Sequence, residues 1–171
     1  MDQAARPVAR EGLITDHTAN PELERWNNRF AAEEFVFGIR PNVFLAGQRE
    51  RLRPGMRALC VADGEGRNSV WLAAQGLEVT AFDFSPVGLA KARKLADSAG
   101  VTVDYRLSDV NAWDWDAAQY DAVVGIFVQF ASPPERQRMF EGVAAVAVWI
   151  PVRLVEGLSS MRSFAPFGFC H

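Results

Sequence analysis

The sequence predicts an α/β fold built on an open, doubly wound, mostly parallel sheet, and three observations predict it. The first is a short apolar run, Ala58 to Ala62, that stops at a glycine-rich break, Asp63-Gly64-Glu65-Gly66, before a helical stretch and a second apolar run, Leu77 to Phe82. The second is Asp121 to Phe127, DAVVGIF, which is apolar almost throughout, as a strand buried on both faces must be. The third is the alternation of helix-like and strand-like segments around these runs, which covers a parallel sheet with crossover helices.

Taken in order, residues 1–20 are polar and broken by Pro7 and Gly12, and read as a flexible leader. A single domain is expected over 21–171, divided into N-terminal helices (21–56), a core (57–142) and an atypical C-terminal tail (143–171). From Pro21, PELERWNNRFAAEEFVFG reads as helix, with Glu22 and Glu24 in its first turn and Leu23, Trp26 and Phe30 on one face. A second helix is expected from Asn42 to Leu52, ahead of Pro54-Gly55. Asn68 to Gln75 follows the glycine loop as a helix with Val70, Trp71, Ala73 and Ala74 apolar, and Gly76 stops it. After the strand that ends in Asp83, Ser85 caps and Pro86 opens a helix that continues over Val87 to Ala99 and stops at Gly100.

Val101 to Leu107, VTVDYRL, alternates like a strand with one exposed face. In Trp113-Asp114-Trp115-Asp116 the indoles are expected to pack and the acids to face water. Pro133-Pro134 begins a helix through Arg136, Met139 and Phe140 towards Val146, and Val152 to Glu156 suits a fifth strand. The tail LSSMRSFAPFGFCH has no clear periodicity, so the C-terminal strands are expected to be incomplete; a change of reading frame after about Gly142 gives the same shift in character. An incomplete sheet exposes an apolar edge near Val152 to Val155, or at Val123 to Phe127 if the fifth strand does not pair. Such an edge predicts a homodimer.

With 49% hydrophobic residues in 171, the chain has enough apolar surface for one core. A net charge of -3 argues against broad attraction to nucleic acid, so no nucleic-acid partner is expected. No apolar run is long enough to span a bilayer, and MDQAARPVAREG lacks the order of a secretion signal, so no membrane association and a cytoplasmic location are expected. Cys60 and Cys170 are far apart and read as free thiols, and His17 and His171 are isolated from any metal-ligand cluster, so no metal is expected.

The glycine loop carries the chemistry. Gly64 and Gly66 let backbone N–H groups approach a polar ligand, and Asp83, about twenty residues beyond such a loop, is placed to accept hydrogen bonds from ribose hydroxyls. The implied ligand is a nucleoside. Dinucleotide sites carry a third glycine where GEGRNS has Ser69, a residue small enough to leave that class open.

VADGEGRNSVWLAAQGLEVTAFDFSP resembles the first two motifs of class I S-adenosylmethionine-dependent methyltransferases, with the Rossmann-like fold of that class. The similarity is closest to the tellurite-resistance and thiopurine-type branch, whose loop reads GxGRNS. The resemblance implies S-adenosyl-L-methionine as cofactor and methyl transfer to a small-molecule substrate. It places the loop Ala62, Asp63, Gly64 and Gly66 against the methionine part and Asp83 on the ribose. Ser108-Asp109-Val110-Asn111 resembles the third motif, with Asp109 on the adenine amino group and Val110 against the ring; Asn68, Phe84, Ser85 and Asn111 are grouped with these as cofactor-binding. DAVVGIF resembles the fourth motif, which places Ile126, Phe127, Val128 and Gln129 at the methyl-transfer site. Two positions depart from the family pattern: Cys60 stands where an acid is usual, and Ala62 where a glycine is usual.

No catalytic residue is assigned, because a sulfonium carries its own leaving group and a soft nucleophile needs no base. In the family resembled, segments ahead of the first strand often cover the cofactor, which implies Trp26, Phe30, Phe35 and Phe37 as candidate lid residues, with core packing as the alternative for each. Two further functions stand beside methyl transfer: a cofactor-binding protein without turnover, and a nicotinamide-dependent oxidoreductase.

Overall fold

The computed structural model describes residues 20–128, 132–146 and 153–156. The leader, His17, Gln129, Cys170, His171 and the tail beyond Glu156 lie outside the described residues. Helix α1 covers Pro21–Phe30, its start fixed by Asn20, whose side chain accepts from the backbone N–H groups of Glu22 and Leu23. It ends at Phe30, so the expected continuation to Gly38 is corrected. Residues beyond it bond to core side chains instead of continuing the helical ladder. The expected helix over 42–52 is also corrected, to a four-residue α2 (Val43–Ala46) and a separate tight turn, Arg49–Arg51. Gly47 lies at the break, where a glycine in a helix interior costs about 1 kcal/mol.

The sheet consists of β1 (Arg57–Val61), β2 (Glu78–Asp83), β3 (Asp104–Leu107), β4 (Ala122–Ile126) and β5 (Arg153–Glu156). Its order is β3-β2-β1-β4-β5, and every pairing is parallel. Helices α3 (Arg67–Ala74), α4 (Pro86–Ala99) and α5 (Pro133–Val146) are the long connections that parallel pairing requires. Ser85 caps α4 by accepting from the Gly88 N–H, and Gly100 ends it at φ 66°.

Alternation along β1 explains its apolar sequence. Ala58 and Cys60 pack on one face with Leu45, Leu72, Val79 and Val124, while Leu59 and Val61 pack on the other with Phe82, Trp113, Met139 and Val143. Burying each larger aliphatic or aromatic side chain contributes about 1.5–3 kcal/mol. Trp113 stacks on Phe82 at 4.3 Å and Trp115 meets the same ring edge-on at 6.2 Å, while Asp114 and Asp116 are exposed, as expected of that loop.

The third strand begins at Asp104 instead of Val101 and, among the described residues, pairs on one side only, with β2, which leaves most of it exposed. On the other flank β5 pairs with β4 from Val123↔Arg153 to Ile126↔Glu156, so Val123 to Phe127 is not a sheet edge. Strand order changes direction between β1 and β4, and a crevice therefore opens off the carboxyl ends of these strands. Among the described residues no helix is long and apolar enough to cross a membrane.

Candidate functional site

The chain leaves β1 through three left-handed residues, Ala62 (φ 52°), Gly64 (φ 61°) and Gly66 (φ 87°). This path turns the loop over the end of the sheet. Gly66 is fixed by packing as well as torsion, because a Cβ there would lie 2.7 Å from the Ala92 Cβ on α4. Gly64 leaves room for the Phe30 ring, which a Cβ would approach to 3.2 Å.

Asp83 ends β2 beneath this loop and is buried. One carboxylate oxygen accepts from the Gly64 N–H and the other from the Ser85 N–H, each at 2.8 Å. Burial pushes its carboxyl up to about 6 against the lowering effect of the Ser85, Gly64 and Phe84 N–H groups. Asp63 is also raised to about 6, chiefly by burial and further by the charge of Asp83, while Ser69 and Arg67 favour its ionised form. The Ser69 hydroxyl donates to Asp63 and lies 3.0 Å from the Tyr105 hydroxyl. The Oδ1 of Asp63 is buried without a hydrogen-bond partner among the described residues.

Two cavities meet at Asp83, and Asp63 lines the first of them. The first, about 60 Å³, lies under α1 and is lined by Ala62, Asp63, Gly64, Asn68, Asp83, Phe84, Ile126 and Phe127 of the expected residues. Trp26, Phe30, Phe37 and Arg67 complete it. The second, about 170 Å³, lies between the ends of β2 and β3 and is lined by Ala62, Asp83, Phe84, Asp109, Val110 and Asn111 of the expected residues. Asn20, Glu22, Phe82, Ser108 and Glu135 complete it. Ala62, Asp83 and Phe84 border both.

Five of the expected positions have other duties. Gly66 lines neither cavity and serves the packing of α4, and Ser85 lines neither because it caps α4 and donates to the Asn27 side chain at 2.6 Å. Val128, expected at the methyl-transfer site, is instead buried in the core with Val123 and Val143. Asn68 lines the first cavity, but its side-chain oxygen accepts from the Asn42 N–H at 2.9 Å. Asp109 accepts from the Asn111 and Ala112 N–H groups, closing a turn at the lip of the second cavity.

Of the four candidate lid aromatics, Trp26, Phe30 and Phe37 line the first cavity, whereas the Phe35 ring lies under the Lys91 ammonium at 4.8 Å. Sequence reasoning missed Arg67, although it belongs to GRNS itself, and Glu135, which sits in the first turn of α5 and accepts from Ser132. Among the described residues no group of three or more His, Cys, Asp or Glu could hold a metal ion. Cys60 is a buried free thiol, its pKa raised by burial and by Asp63.

A family model described as a methyltransferase domain matches residues 58–148. An uncharacterized protein of Mycobacterium tuberculosis is 38% identical over 96 residues, which are 56% of this chain and 34% of that protein. The ubiquinone biosynthesis O-methyltransferase of Methylocella silvestris is 36% identical over 84 residues, 47% of this chain and 33% of that protein. The chain thus spans about a third of the length of the curated relatives it matches. Among solved structures, a SAM-dependent methyltransferase of Geobacter sulfurreducens in complex with S-adenosyl-L-homocysteine superposes with a TM-score of 0.58 at 19% identity, over 75% of this chain and 52% of that one. The TehB-like SAM-dependent methyltransferase of Corynebacterium glutamicum gives 0.55 at 17% identity, over 74% of this chain and 65% of that one. These two likenesses concern the fold. The family match takes in the glycine loop, Asp83, the turn after β3 and the end of β4, and covers more than half of the sequence: the chain belongs to the methyltransferase-domain family.

Proposed function

We propose that this chain binds S-adenosyl-L-methionine across the two joined cavities and transfers its methyl group to a small-molecule acceptor. The observation that carries this reading is the position of Asp83: a buried carboxylate at the junction of both cavities, set beneath a left-handed glycine loop. The cleft fits such a ligand on its own chemistry. Asp83 borders the place where two hydroxyls need an acceptor, and the unpartnered Oδ1 of Asp63 suits an N–H donor or a positive charge. Phe84 and Val110 offer apolar surface on the second side, with Asp109 at the lip as acceptor for an exocyclic amine. In this arrangement the Ala62 to Gly66 loop faces the amino-acid part, and Ile126 and Phe127 face the transferred group.

When bound, the cofactor supplies an activated methyl on a sulfonium that is its own leaving group. The chain then has to align the acceptor and exclude water. Trp26, Phe30, Phe37, Ile126 and Phe127 provide an apolar enclosure for that purpose, and neither cavity is lined by His, Lys, Cys or Tyr among the described residues. With Asp63, Asp83 and Asp109 assigned to the cofactor, this favours an acceptor that needs no general base, such as a thiolate or a metalloid. The reading also covers the chain's surroundings: a cytoplasmic location, no nucleic-acid partner, and self-association through the outer edge of β5, on which no strand pairs among the described residues. Sedimentation velocity checks the last point, since a monomer at every concentration would sink it.

Titration calorimetry with S-adenosylhomocysteine tests the central claim. Micromolar binding that weakens in Asp83→Ala supports it, and a folded protein that does not bind overturns it. A second reading, cofactor binding without turnover, is favoured by the lining of the two cavities, which among the described residues includes no His, Lys, Cys or Tyr. Binding without methyl transfer to a panel of thiols, metalloids, amines and hydroxyls would select it.

A further inference from the structure

The polar side chains of the glycine loop and the start of α3 do not all face the cleft. Glu65 lies between the two left-handed glycines, and its Oε2 accepts from the Val36 N–H at 2.8 Å. Its Oε1 pairs with Lys91 Nζ of α4 at 2.6 Å, with only 3% of the Glu65 side chain and 14% of the Lys91 side chain exposed. Lys91 in turn donates to the carbonyls of Ala32 (2.9 Å) and Glu34 (2.7 Å). Arg67 donates to the Phe37 carbonyl at 3.0 Å, and Asn68 accepts from the Asn42 N–H at 2.9 Å. All five contacts fall on backbone groups of one stretch, residues 32–42.

That stretch has no helix or strand of its own. Its backbone donors and acceptors need partners, and these core side chains supply them. The stretch then presents Phe37 to the first cavity, stacked on Phe127 at 5.8 Å and flanked by the Arg67 and Arg29 guanidiniums at 5.4 Å each.

We infer that Glu65, Arg67, Asn68 and Lys91 are positioning residues that read the backbone of 32–42 and hold it as the outer wall of the cleft. This rests on the reading of the cleft as the cofactor site, with Glu65 and Lys91 serving the wall and Arg67 and Asn68 serving it from the cavity lining. Because Glu65 is part of the glycine loop, the wall cannot swing out without breaking the hydrogen bond from the Val36 N–H to a carboxylate rooted in that loop and the two carbonyl bonds to its ion-pair partner Lys91. Wall opening and ligand release are one event. Because the contacts are to backbone, the wall keeps its shape under changes of its own side chains.

Hydrogen exchange in the ligand-free protein, followed by stopped-flow dissociation of S-adenosylhomocysteine, tests this in Lys91→Met, Glu65→Ala and Glu65→Gln. Exchange over 32–42 should rise about tenfold in Lys91→Met and Glu65→Ala while β1, β2 and β4 keep wild-type protection. Glu65→Gln retains an acceptor for the Val36 N–H and should fall between them and wild type. The dissociation rate should rise in the same order, by about tenfold at most, with association nearly unchanged. Unchanged exchange over 32–42, or an equal rise across the whole sheet, overturns the inference. Wild-type protein that binds no S-adenosylhomocysteine overturns the cofactor reading, and exchange in the ligand-free protein still decides the anchoring.

Discussion

Under α1 the cleft narrows to about 60 Å³, and its polar groups are committed to distant parts of the chain: Asp83 to the glycine loop, Glu65 to Val36 and Lys91, Asn68 to Asn42. Between the ends of β2 and β3 it widens to about 170 Å³, and there Asp109 closes its own turn while Asn111 meets Glu135 and Arg138 at the surface. The difference teaches where each half gets its shape. The narrow half is preorganised by long-range contacts and should respond to substitution through the whole fold. The wide half is held at its exposed rim, by the Asp109 turn and by bonds between Asn111 and α5, and its residues should affect binding more than stability.

Gly66→Ala is the harshest way to break the narrow half, since the new Cβ meets α4 and inherits a left-handed torsion. A loss of about 2–4 kcal/mol in urea unfolding is expected. Loss below about 1 kcal/mol would mean that α4 yields easily and that the half is not preorganised. Asp83→Asn probes the junction: the amide keeps one acceptor for two backbone donors, and S-adenosylhomocysteine affinity by calorimetry should fall about 10- to 100-fold.

Proton titration sharpens the contrast. Asp63 and Asp83 have folded pKa values raised to about 6 from 3.8, so the fold binds these protons more tightly than the unfolded chain. Stability should fall as pH rises from about 4 through 6, by of order 1 kcal/mol per group between pH 5 and 7. Ligand affinity should move the other way, because ionised Asp83 is the better acceptor. Parallel trends in chemical denaturation and calorimetry would contradict this assignment.

In the wide half, Asp109→Ala removes one turn acceptor and should cost about 0.5–1 kcal/mol of stability while lowering affinity about 3- to 10-fold. An effect on stability as large as that of Gly66→Ala would erase the distinction between the halves. The smallest effect is expected of Ala62→Gly, which relieves a left-handed alanine but adds chain entropy to the unfolded state. A net gain of about 0.5 kcal/mol should appear as a slightly higher unfolding midpoint.

Legibility followed the same division. The central strands, α3, α4 and the caps Ser85 and Gly100 were readable because apolar runs, glycine stops and capping residues act within a few positions of themselves. The pattern also located Asp83 and the turn at Asp109. The stretch after Phe30 was not readable as a wall, because its sequence favours helix while its partners, Glu65, Arg67 and Lys91, come from other elements. For the same reason Ser85 looked like a ligand residue: sequence places it beside Asp83 but does not reveal Asn27, whose side chain takes its hydroxyl. Val128 follows the end of β4 closely enough to suggest the cleft, yet the left-handed Phe127 turns the chain and leaves Val128 in the core.

The all-parallel sheet also sets an order of assembly. A parallel sheet cannot start from a hairpin, so the closest pairing available to β1 is with β2, after a single helix. Its other neighbour arrives much later: the Arg57 N–H donates to an Asp121 side chain 64 residues away, at the entry to β4. Loop closure makes that second pairing the slower one. The chain is therefore expected to fold outward from the β1-α3-β2 unit, so that Val79→Ala slows refolding and Val123→Ala chiefly speeds unfolding in stopped-flow measurements. The glycine loop and Asp83 would then be in place before β4 brings Ile126 and Phe127, and during synthesis the first half of the cleft would take shape while the second is still being made.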